Sequence, residues 1–88
     1  MIVKIDKSFA KDLAQIKDRR LCNRIGDCIE QIQKADTLSQ IGSLKKITLK
    51  SHYYRIRLGD FRLGIKVDGT TVIFIRALHR KEIYRYFP

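Results

Sequence analysis

Two hydrophobic periods divide this chain, and the change from one to the other limits its fold more than any other feature. From Phe9 to Ala35 apolar residues recur every three or four positions, whereas from Tyr53 to Val67 they alternate with polar ones. The first period is that of a helix and the second that of a strand. Phe9, Leu13 and Ile16 form one stripe, which Asp6 or Ser8 can cap. Asp18-Arg19-Arg20 interrupts it, and Leu21, Ile25, Cys28, Ile32 and Ala35 continue as a second helix of roughly five turns. A tight turn at the break makes the two helices antiparallel. Both stripes read as core packing.

Ile2-Val3-Lys4-Ile5 is short and β-branched, and reads as a strand. Residues 36–50 follow neither period and read as a loop with a short turn at 44–47. From His52 onward Tyr54, Ile56 and Leu58 point one way, and Tyr53, Arg55 and Arg57 the other. Gly59-Asp60 and Asp68-Gly69 are hairpin signals, and between them Leu63, Ile65 and Val67 alternate with Arg62, Gly64 and Lys66. Residues 71–78 are almost wholly apolar, as a central strand requires. The order is β-α-α-β-β-β, an α+β fold with a helical hairpin packed on one face of a small, mainly antiparallel sheet. With 88 residues, one proline, no repeat and no Gly/Ser-rich linker, the expectation is one domain over 1–88.

The face of the meander turned from the helices is then cationic: Arg55 and Arg57 on one strand, Arg62 and Lys66 on the next. Like charges on neighbouring strands repel unless an anion lies between them, and guanidinium groups grip phosphate bidentately. The net charge is +10. Residues 1–44 carry eight Lys/Arg against six Asp/Glu, and residues 45–88 eleven against three, so the surplus belongs to the strands. Such a surplus points to a polyanion. The tail adds His79, Arg80, Lys81, Tyr84, Arg85, Tyr86 and Phe87. Interleaved tyrosine and arginine can stack on bases and hold an RNA backbone. Packing onto the sheet edge accounts for Tyr86 and Phe87, while Tyr84 suits either role.

Other chemistries find little support. The acids are scattered, so no glycosidase pair stands out, and no Gly-rich phosphate loop is present. His52 and His79 are candidates for an acid–base pair only if the fold brings them together. Cys22 and Cys28 lie about 120° apart on a helix, with no CxxC or nearby histidine, and are expected to be unpaired and metal-free. The N-terminus lacks a signal-peptide core, and no apolar run is long enough to cross a membrane. A cytoplasmic protein with no membrane partner and no cofactor is expected.

At Tyr54-Arg55-Ile56-Arg57-Leu58, Phe61-Arg62-Leu63 and His79-Arg80-Lys81-Glu82-Ile83-Tyr84 the chain resembles the RelE/ParE superfamily of toxins, RelE-type mRNA interferases most closely. Leu44-Lys45-Lys46 also resembles a family loop motif, and the element order agrees along the whole length. The resemblance implies a type II toxin–antitoxin toxin: a ribosome-dependent, metal-independent endoribonuclease that cuts mRNA by 2′-hydroxyl attack. Its partners would be mRNA, the ribosome and a cognate antitoxin. The catalytic residues implied are Arg55, Arg57, Arg62, Arg80 and Tyr84. The RNA-binding ones are Lys45, Lys46, Lys50, Lys66, Lys81 and Arg85. Two departures stand out: arginine replaces lysine in the first motif, and the tyrosine lies closer to Arg80. Arginine is a poor proton acceptor, so no general base is assigned. A ParE-like gyrase inhibitor and a non-catalytic RNA-binding module are the alternatives.

Overall fold

The first two helices each begin at an aspartate. The computed structural model describes residues 1–41, 44–46 and 52–87, for 44–46 the backbone only. Strand β1 (Ile2–Ile5) runs into Asp6, whose carboxylate accepts from the Ser8 N–H and opens helix α1 (Lys7–Gln15). Hydrogen bonds from the Ser8 side chain and backbone favour the charged carboxylate and lower the Asp6 pKa. Asp18 accepts from the N–H groups of Arg20 and Leu21 and opens helix α2 (Arg19–Lys34). Phe9 on α1 and Leu21, Ile25, Cys28 and Ile32 on α2 are buried, the stripes that the periodicity predicts.

Four further strands follow: β2 (Leu44–Lys46), β3 (Tyr53–Leu58), β4 (Phe61–Asp68) and β5 (Thr71–His79). They form one sheet in the order β1-β5-β4-β3-β2. Among the described residues only the β1–β5 pair is parallel. Gly59 and Gly69 take φ of 56° and 60° in the two hairpin turns, where a side chain would be strained. The α+β order therefore holds, with additions among the described residues, the smallest a single 3-10 turn at Leu38–Gln40. Leu44–Lys46, expected within a loop, pairs with β3, and Arg80–Tyr86 forms a third helix, α3.

Helix α1 packs on β5, and α2 packs against β1 and β3. Between helices and sheet lie Phe9, Leu21, Ile25, Cys28 and Ile32 against Ile56, Leu63, Ile65, Val67, Val72, Phe74 and Ala77. The rings of Phe9 and Phe74 meet edge to face at 5.2 Å. A bulge in β5 fixes α1: Gly64 pairs with Arg76 but Ile65 with Phe74, leaving Ile75 over. The Ser8 hydroxyl shares its one proton between the Asp6 carboxylate and the Ile75 carbonyl. Asp12 accepts from Arg76 Nε at 2.8 Å, Arg76 Nη2 at 3.0 Å and the Ala77 N–H at 2.9 Å. These bonds to Asp12 push the Arg76 pKa up.

Cys22 and Cys28 are both free thiols. Burial pushes the Cys28 thiol up to about 11, because a thiolate there would lose its hydration. Cys22, half-buried, has its sulfur 3.8 Å from the Ile16 carbonyl. Iodoacetamide at pH 8 is therefore expected to alkylate Cys22 first in the folded protein, with Cys28 reacting only on unfolding. Peptide mapping that finds Cys28 labelled first would contradict this.

Candidate active site

The alternation of β3 and β4 sets the face opposite α1 and α2. The register places Arg57 opposite Arg62, Arg55 opposite Gly64 and Tyr53 opposite Lys66. Side chains paired in this way share a face, so Arg55, Arg57, Arg62 and Lys66 form the single patch expected of them. Arg57 is exposed and the other three are half-buried.

The tail supplies the second wall. His79 caps α3, its Nδ1 accepting from the Lys81 N–H at 3.1 Å. The Arg80 N–H donates to the Asp60 carbonyl at 2.7 Å, which joins the start of α3 to the β3–β4 turn. Ile83 and Phe87 face the sheet, only 0% and 6% exposed. The helix thus lies on the basic face itself, a covering the sequence did not foresee. Phe87, expected at the sheet edge, sits over Gly64, and its ring meets that of Tyr53 edge to face at 5.6 Å. Tyr86 is 53% exposed and lies against the Arg76 guanidinium, 5.6 Å from ring centroid to carbon.

This geometry gathers the five implied catalytic residues. The Arg55 guanidinium stacks on the Tyr84 ring at 4.5 Å, while Tyr84 remains 70% exposed. Arg62 Nη1 donates to the carbonyls of Gly59 at 2.6 Å and Phe61 at 2.9 Å. Among the described residues these bonds engage Nη1 alone, and a guanidinium carries five N–H donors. Arg80 Nε lies 3.9 Å from the exposed Asp60 carboxylate, a weak solvated pair. Both arginines thus gather at one turn, Gly59–Phe61, with Arg57 opposite Arg62 and Arg55 two residues further along the strand, roughly 7 Å away. Such a cluster can hold a phosphate and stabilise added charge on it.

The RNA-binding candidates scatter more. Lys66 borders the patch, 5.8 Å from the Tyr53 ring centroid. Lys81 and Arg85 are exposed, each two positions from buried Ile83 and so on the side of α3 turned from the sheet. Strand β2 sets Lys45 opposite Arg55 and Lys46 opposite Tyr54 in register, and Lys50 lies outside the described residues. The histidines do not meet. His52 accepts from the Val67 N–H while His79 pairs with Phe61, which puts them roughly 20 Å apart along β4. A cavity of about 320 Å³ opens between the α1–α2 connection and Phe61, Leu78 and His79. Lys17 lies at its rim, in the connection rather than on a helix, and no arginine of the patch lines it. No helix among the described residues is long and apolar enough to cross a membrane.

A family model for the ParE toxin of the type II toxin–antitoxin system parDE matches residues 3–84. The chain belongs to the RelE/ParE superfamily of toxins. Within it, the chain is 45% identical to Toxin RelE3 of Methanocaldococcus jannaschii over 89 residues, covering 100% of both. The crystal structure of the RelB–RelE antitoxin–toxin complex from Methanococcus jannaschii contains a chain that superposes with a TM-score of 0.82 at 44% identity. The match covers 97% of this chain and 99% of that one. The toxin–antitoxin complex RelBE2 from Mycobacterium tuberculosis matches at TM-score 0.59 and 24% identity over 90% of each chain, which shows the shared RelE fold alone.

Proposed function

We propose that this RelE/ParE toxin is an endoribonuclease that cuts mRNA on the ribosome. The observation that carries the reading is the union on one face of Arg55, Arg57 and Arg62 of the sheet with Arg80 and Tyr84 of α3. In the proposed reaction the 2′-oxygen forms a bond to the adjacent phosphorus, and the bond from phosphorus to the 5′-oxygen breaks. A cyclic phosphate remains, the 2′-hydroxyl proton passes to solvent or a base, and the leaving 5′-oxygen gains a proton. Arg62 and Arg80 stabilise the charge of the phosphorane, which has more charge than the ground state and so is stabilised more by them. Arg55 or Arg57 holds the scissile phosphate or assists proton transfer, and Tyr84 stacks on a base or orients the 2′-hydroxyl. Lys66, Lys81 and Arg85, with Lys45, Lys46 and Lys50, add salt-dependent attraction to RNA. Two solved relatives are antitoxin–toxin complexes, and we propose that a cognate antitoxin covers this basic face with an acidic or helical segment.

Primer extension on an mRNA translated by purified ribosomes tests the reading. New stops are expected with ribosomes and none on naked mRNA. Cleavage is expected to survive chelation once Mg²⁺ needed by the ribosomes alone is accounted for, since the chemistry above uses no metal. A cut that is lost on chelation of the toxin and restored by Mg²⁺ would contradict it. The matching family model describes a ParE toxin, so gyrase inhibition, the ParE-like alternative, is the second reading. Loss of gyrase supercoiling, with mRNA intact, would favour it.

A further inference from the structure

The glycine in the middle of β4 leaves room for a ring. A Cβ built on Gly64 would stand 2.6 Å from Phe87 Cδ1 and 2.7 Å from Cε1 and Cγ, closer than carbon atoms approach. Gly64 pairs with Arg55, whose guanidinium stacks on Tyr84, three residues before Phe87. The seat is therefore one pair away from the contact that joins helix to sheet in the site. Phe87 also closes the end of α3, its N–H donating to the Ile83 carbonyl at 2.9 Å. Glycine within a strand is costly unless another group needs the space, and here one does.

We propose that Gly64 and Phe87 are positioning residues, a seat and plug that set the height of α3 above the sheet and so the placement of Tyr84 and Arg80 against Arg55 and Arg62. This inference rests on the cleavage reading above. A methyl at position 64 lifts the ring and with it the helix, and the arginines of the sheet stay where they are. Neither Ile83 nor Phe87 belongs to the main core cluster, so the domain is expected to remain folded when the seat is altered.

A double-mutant cycle separates positioning from mere packing. Gly64→Ala and Phe87→Ala are each expected to slow single-turnover cleavage on the ribosome by about 10²-fold, the size for a misplacement of about 1 Å. Half-saturation by ribosomes is expected to move less than about 3-fold, because the basic surface is unchanged. In the Gly64→Ala/Phe87→Ala double variant the methyl has no ring to displace, so its rate is expected to equal that of Phe87→Ala. Cooperative melting of each variant verifies the fold. Wild-type cleavage by Gly64→Ala, or losses that multiply in the double variant, overturns the proposal. Should the unaltered protein itself fail to cut, the functional reading falls, and amide exchange decides the seat alone. The Phe87 N–H must then exchange faster in Gly64→Ala, and an unchanged rate overturns it.

Discussion

Replacing Arg80 with alanine is expected to slow mRNA cleavage by about 10²–10³-fold while leaving melting nearly unchanged. Its side chain is 56% exposed and its Asp60 partner 74%, so little stability depends on it. Arg62→Ala is expected to slow cleavage by a similar factor of about 10²–10³, but with a second effect. It also removes the bonds from Nη1 to the Gly59 and Phe61 carbonyls, which is expected to cost about 1 kcal/mol. The two variants therefore separate charge stabilisation from support of the turn. Lys34, paired with Glu30 at 3.0 Å on the exposed side of α2, is the control, and Lys34→Ala is expected to change neither quantity. Rapid cleavage by both arginine variants, combined with loss of cleavage in His52→Ala, would end the arginine-based mechanism.

A larger effect on stability is expected from Phe74→Ala. Phe74 is fully buried, touches Phe9 edge to face, and lies on β5 between β4 and β1, its parallel neighbour. Truncating such a ring removes its transfer free energy and leaves a cavity, together about 3–5 kcal/mol. In a domain of this size that lowers Tm by roughly 15–30 °C and approaches the whole stability margin. Ile83→Ala is the comparison: it is also fully buried, but it lies outside the main cluster, on the other face of the sheet. It is expected to loosen α3 more than the domain. A Tm for Phe74→Ala within a few degrees of the unaltered protein would show that the sheet–helix core is not what holds the fold.

Much of this architecture is legible in the chain because both periods are long enough to register. Leu21, Ile25, Cys28 and Ile32 repeat over about three turns, and Leu63, Ile65 and Val67 alternate along β4. Strand β2 escapes notice because three residues, Leu-Lys-Lys, cannot show a period. Helix α3 escapes for a different reason. Only Ile83 within it is buried, and the second anchor, Phe87, lies past its last turn. Of the site, the strand arginines follow from alternation alone. That Arg80 and Tyr84 join them depends on α3 folding back over the sheet, which no local pattern encodes. Gly64, a glycine amid alternating apolar residues, leaves room for a close approach but does not say which group fills it. The distance between His52 and His79 follows from the register, and composition carries no information about it.

The parallel pairing of β1 with β5 also sets a timetable. Ile2 lies beside Thr71 and Ile5 beside Phe74, so the first strand made must wait for nearly the last. At typical rates of synthesis that interval is roughly 4–14 s. The sheet cannot close until β5 has been made, and α3, which follows β5, docks only afterwards. Arg80 and Tyr84 therefore join the arginines of β3 and β4 only after β5 has been made, and the cleft is completed late in the folding of the chain.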